Sequence, residues 1–127
     1  MFRKNYSQAL ATMDIKEISA QLNESNVNRD AGGFRAFEIL LDRKDKLSTE
    51  TLTKILTHPR WNPNYRVVDG WSPLERAILH HREGVAQKIL EHPNFKAEDV
   101  ERPIQIAKGY TTKRFQNLLQ RKLQNQR

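Results

Sequence analysis

Lys54-Ile55-Leu56-Thr57-His58-Pro59-Arg60-Trp61 returns 34 residues later as Lys88-Ile89-Leu90-Glu91-His92-Pro93-Asn94-Phe95, with five of the eight positions identical and an aromatic residue closing both copies. A period of about 33–34 residues is that of short helical repeats, each too small to bury a core alone. The recurrence predicts an all-α chain built as a stack of helix pairs. Such stacks work by presenting a surface rather than by enclosing a reaction.

The second copy is preceded by Asp69-Gly70-Trp71-Ser72-Pro73-Leu74-Glu75. Ser72 is a good N-cap, Pro73 suits the first helical position and Glu75 stands at the third, which predicts a capping box. Leu74, Ala77 and Ile78 mark one buried helical face, and Val85, Ala86, Ile89 and Leu90 a second. Gly84 is read as the punctuation between them and Pro93 as the stop, because the residue before a proline avoids helical geometry.

The first copy has the same grammar. Gly33-Phe34-Arg35-Ala36-Phe37-Glu38 matches Gly70 to Glu75 in order. Phe37, Leu40 and Leu41 form an apolar face, and Asp42-Arg43-Lys44-Asp45-Lys46 a charged link. Ser48 is read as the next N-cap, with Leu47 and Leu52 as a hydrophobic staple. Leu52, Ile55 and Leu56 are core positions, and Trp61-Asn62-Pro63-Asn64 turns the chain onward. Arg102-Pro103-Ile104 opens a third unit with its break at Gly109-Tyr110-Thr111-Thr112. Phe115, Leu118, Leu119 and Leu123 give a last amphipathic helix. At the other end Ile15, Ile18 and Leu22 make a degenerate half unit, and residues 1–12 a short helix or a loose segment. The 127 residues read as one domain: an N-terminal cap over 13–32, repeats over 33–66 and 67–98, and a capping repeat over 99–123.

Composition agrees with a thin stack, which has much surface for its length. Hydrophobic residues make up 37% and charged residues 29%, polar for a globular chain but not the composition of a disordered one. The absence of cysteine removes disulfides and thiolate metal sites. No run approaches the ~18 apolar residues of a membrane span, and the basic start Met1-Phe2-Arg3-Lys4 is followed by no apolar stretch of signal-peptide length. A soluble, cytoplasmic protein is expected. The net charge of +7 is uneven: residues 1–98 carry 15 basic and 13 acidic side chains, residues 99–127 carry 7 and 2. The basic end could attract nucleic acid or another acidic surface.

Gly70-Trp71-Ser72-Pro73-Leu74-Glu75-Arg76-Ala77-Ile78 resembles the G-x-T-P-L-x-x-A-A signature of ankyrin repeats, and Val85-Ala86-Gln87-Lys88-Ile89-Leu90 resembles the family's I-V-x-x-L-L segment. The resemblance is strongest over 67–98, fair over 33–66 and weaker at both ends. Glu75 stands where the family has histidine, the inter-helix glycine is replaced around His81, and Pro59 and Pro93 stand where a glycine follows the second helix. The resemblance implies an ankyrin-type α-solenoid that binds a partner protein through its turn tips and concave face. It fits an adaptor, or an effector acting in a host cytoplasm. Carried over by position, the partner-binding residues are Trp71 and Phe34 after the two glycines, Arg66 and Val68 on the turn approach, and the pairs Leu79–His80 and Asp42–Arg43 closing the first helices.

Catalysis has no support in the residues. No phosphate loop, nucleophile elbow or zinc motif occurs, and no cofactor or metal is expected. His58 and His92 recur at equivalent positions and are read as caps of their helices' ends. The alternative class is nucleic-acid or acidic-surface binding through Lys108, Lys113, Arg114, Arg121 and Lys122, with Tyr110 as a stacking ring. A monomer or a weak homo-oligomer is expected. An N-terminal end left open around Phe2, Tyr6 and Leu10 is the place where a second copy would pack.

Overall fold

Short polar side chains that accept the first free amide protons mark the starts of four of these helices. The computed structural model describes residues 4–29, 33–66, 70–97 and 101–125. Among those residues it holds eight helices and no strand: α1 (Tyr6–Ala11), α2 (Ile15–Gln21), α3 (Phe34–Leu41), α4 (Lys46–Leu56), α5 (Pro73–Leu79), α6 (Glu83–Glu91), α7 (Glu101–Tyr110) and α8 (Lys113–Asn125). Asn5 and Gln8 form a capping box on α1, Asp14 caps α2, and Ser72 with Glu75 forms the expected box on α5.

Four local expectations are corrected. Asp45, not Ser48, caps α4, and its carboxylate takes both the Ser48 amide at 3.0 Å and the Ser48 hydroxyl at 2.9 Å. These bonds, the amide's first, hold the Asp45 carboxyl below its ordinary value. With the cap one turn earlier, Leu47 faces outward and the staple to Leu52 does not form. Gly84 lies within α6, so the chain turns at His80–Arg82, where His81 takes φ +58°. Gly109 and Tyr110 belong to α7, leaving Thr111 and Thr112 as the break.

Packing follows two rows. Consecutive helices pair (α1 with α2, α3 with α4, α5 with α6, α7 with α8), while α3–α5–α7 and α2–α4–α6–α8 touch in succession. Facing residues merge into one core, in which Phe37, Leu40, Leu52, Ile55, Ile78, Ile89, Leu119 and Leu123 are shut off from solvent. Each such side chain contributes roughly 1.5–3 kcal/mol by burial. Tyr6 and Leu10 are part of that core, so neither is left for a second copy, and Phe2 lies outside the described residues.

The 34-residue period reappears as hydrogen bonds. His92 Nε2 donates to the carbonyl of His58 at 2.7 Å. Both rings accept, through Nδ1, the amide two residues on, from Arg60 and Asn94 respectively, each at 3.1 Å. The histidines thus close the turn after each helix rather than capping its last carbonyls. Two asparagines bind the next turn along. Asn28 donates to Arg60 O at 2.6 Å and accepts from Asn62 N at 2.7 Å; Asn64 donates to Asn94 O at 2.7 Å and accepts from Lys96 N at 2.9 Å. One side-chain amide therefore satisfies two backbone groups of the neighbouring turn. Gly33 and Gly70, at matching places before α3 and α5, both take left-handed φ (+86° and +85°), and a side chain at Gly33 would strike Val27's carbonyl and the Trp61 ring.

Tyr6 provides a test of the α1 packing. Its hydroxyl is buried with no hydrogen-bond partner among the described residues, and burial pushes its pKa up to about 12, with Arg29 acting weakly in the other direction. A raised acid favours the folded state while protonated, so this contribution is full below the ordinary pKa of about 10 and is lost as pH rises from there toward 12. Tyr6→Phe should leave stability at pH 7 unchanged or higher, since an unmatched buried hydroxyl is removed. The variant should also lose less stability than the parent in urea unfolding between those two pH values. Equal alkaline losses would place the sensitivity elsewhere.

Candidate functional site

The turn leading into α5 is organised around a buried carboxylate. Glu75 is 0% exposed, with Oε1 accepting from the Ser72 amide (3.1 Å), the Ser72 hydroxyl (2.8 Å) and Arg66 Nη1 (2.8 Å). Arg102 Nε lies 2.9 Å from the other oxygen. Both arginines also donate to the carbonyl of Gly70, at 2.7 Å and 3.2 Å. The Arg102 guanidinium sits 4.0 Å over the centre of the Trp71 ring. Trp71 is half-buried, one face under Arg102, so the most prominent aromatic of the turn is held in place before any partner arrives. A fixed aromatic beside arginines has the make-up of an interface anchor, because little side-chain entropy remains to be lost on binding.

The other end of α5 carries the second group. His80 Nδ1 lies 2.9 Å from Asp42 Oδ1, and Arg76 reaches Glu38 at 3.9 Å, so two polar contacts link the α3 and α5 segments. Arg82 donates to the carbonyls of Leu41 (2.9 Å) and Arg43 (3.3 Å), a cation placed on the negative end of α3. Arg43 is exposed and Leu79 half-buried. Tyr110 is 42% exposed, its ring 5.2 Å from that of His81, whose Nδ1 donates to the Tyr110 carbonyl at 2.9 Å.

The sequence-selected residues therefore fall into two clusters at opposite ends of α5. Trp71 and Arg66 stand at the tip; Leu79, His80, Asp42 and Arg43 stand one helix length away. Phe34 belongs to neither. It is 2% exposed and packs at 5.9 Å on Phe37 and 6.5 Å on Tyr65, so it serves the core and offers nothing to a partner. Val68 lies outside the described residues.

Four of the five basic residues are divided between two depressions beside α8. Lys108 and Lys113 line a small pocket of 80 Å³ between α7 and α8 together with Gln116, Asn117 and Gln120, whereas Arg114 and Arg121 line a groove of 430 Å³ between α6 and α8. Lys122 is half-buried and lines neither. Sequence reasoning did not single out a larger groove of 510 Å³ between α4 and α6, floored by Leu52, Leu56 and Val85 and edged by Lys44 and Lys88. Lys44 and Lys88 lie 44 residues apart in the chain, and only the pairing of α4 with α6 brings them to one groove. Among the described residues no three His, Asp or Glu side chains converge as metal ligands, and no helix is long and apolar enough to cross a membrane. Comparison with protein families, with curated proteins and with solved structures found no match.

Proposed function

We propose that this protein is an ankyrin-type helical-repeat module that binds a partner protein in the cytoplasm, not an enzyme, and that the contact is centred on Trp71. The supporting observation is the clamp of Arg66, Arg102 and Glu75 that holds the Trp71 ring half-buried at a turn tip. The His92–His58 bond, which spans 34 residues, and the turn-to-turn bonds through Asn28 and Asn64, which span 30 to 34, support the repeat reading. The contact extends along α5 to Leu79, His80, Asp42 and Arg43.

Trp71→Ala is expected to weaken partner binding by more than ~1 kcal/mol while leaving helical content unchanged. The check is affinity capture from lysate at low and at high salt, with circular dichroism of the variant alongside. A salt-resistant partner lost in the variant supports the proposal. Nucleic acid captured at low salt only, and equally by the variant, would move the function to Lys108, Lys113, Arg114, Arg121 and Lys122, because phosphate contacts weaken steeply with salt.

A further inference from the structure

Gly84 has no structural reason to be glycine. It lies in the first turn of α6 without a positive φ, it is exposed, and a Cβ built on it would meet nothing within 4 Å. Glycine in a helix costs up to about 1 kcal/mol relative to alanine, so its presence is a small loss that packing does not explain. Its position offers an explanation. The α4–α6 groove of 510 Å³ and the α6–α8 groove of 430 Å³ lie on either side of α6, and both are lined by Glu83 and Gly84. A side chain at position 84 would stand as a ridge between them, whereas glycine lets them run together.

The joined trough has a definite chemistry. Its floor is apolar: Leu52, Leu56 and Val85 on one side of Gly84, Phe115 and Leu118 on the other. Its edges carry Lys44, Arg82 and Lys88 on the first side and Arg114 and Arg121 on the second, five cations against the single carboxylate of Glu83. That carboxylate already accepts the Thr112 hydroxyl at 2.7 Å and the Thr112 amide at 3.3 Å. We infer that this trough, on the row of helices away from Trp71, is a docking site for an acidic peptide segment with apolar side chains. Charge complementarity selects the acidic partner, and the apolar floor, whose one aromatic ring, Phe115, is buried, favours peptide over nucleic acid, which would need exposed rings to stack on. From α4 to α8 is two helix spacings, about 20 Å, the length of about 13 residues of helix.

The test is selection from a displayed library of random peptides about 15 residues long, followed by fluorescence anisotropy with the enriched peptides. Peptides combining Asp or Glu with Leu, Ile or Phe should be enriched. Gly84→Phe should weaken their binding about tenfold or more without lowering the melting temperature, and Lys88→Glu should do likewise. Gly84→Ala should keep binding and melt slightly higher. No enrichment, enrichment without excess acid, or an affinity for Gly84→Phe within about twofold of the parent would overturn the inference. So would loss of binding in Trp71→Ala but not in Gly84→Phe. Displacement of the peptide by single-stranded DNA, with Arg114→Glu and Arg121→Glu as the only damaging changes, would reassign the surface to nucleic acid.

Discussion

Glu75→Ala is expected to lower the free energy of unfolding by about 3 kcal/mol, a large part of the 5–15 kcal/mol available to a domain of this size. The carboxylate is shut off from solvent, yet it accepts the Ser72 amide, one half of the α5 capping box whose other half runs from the Glu75 amide to Ser72 Oγ, and it faces two guanidinium groups. Its removal deprives the Ser72 amide of its acceptor and leaves Arg66 and Arg102 facing each other across Gly70 with no counter-charge. The arginine side chains are 30% and 35% exposed, so water recovers part of the loss and the figure sits at the low end for a broken buried pair. Glu75→Gln keeps an acceptor for the cap and should cost about half as much. The measurement is urea unfolding followed at 222 nm, where the midpoint should fall with an unchanged slope. A loss below about 1 kcal/mol would mean that the cluster is a surface feature and that Trp71 is held by something else.

The same cluster marks how far the sequence could be read. Ser72-Pro73-Leu74-Glu75 is legible because a capping box is a four-residue object, complete in local sequence. Arg102 is 27 residues beyond Glu75, and nothing local predicts its place over Trp71. Local grammar also failed where it offered two acceptable answers. Asp45 and Ser48 are both good N-caps three residues apart, and the structure uses the aspartate to bind the serine. Gly84 satisfied the rule that glycine breaks helices, while His81 made the turn in left-handed geometry usually left to glycine. Phe34 matches Trp71 in the order of the sequence, yet it is buried against Phe37 and Tyr65. The charge of the C-terminal end was visible as a count. Its division between two depressions depends on which side of α8 each residue takes.

Trp61→Ala should be the most damaging single truncation of an aromatic in the chain, at about 3–5 kcal/mol. The ring is 0% exposed; it stacks on Phe37 at 5.6 Å and 28°, meets the His92 ring edge-on at 5.7 Å, and lies directly beneath Gly33. It therefore joins the turn before α3, the body of α3 and the turn after α6, so no single element can collapse into the space it leaves. Phe95, its counterpart in the second copy of the repeat, is only partly buried, and Phe95→Ala should cost roughly half as much. Trp61→Phe separates volume from polarity: the indole Nε1 has no hydrogen-bond partner among the described residues, so losing it helps while the smaller ring leaves a cavity. The net cost should be about 1–2 kcal/mol. Calorimetry of the three variants gives the order Trp61→Ala, then Phe95→Ala, then Trp61→Phe. If Trp61 and Phe95 proved equal on truncation, the two copies would contribute alike, and the asymmetry that makes Trp61 the junction of three elements would have no energetic content.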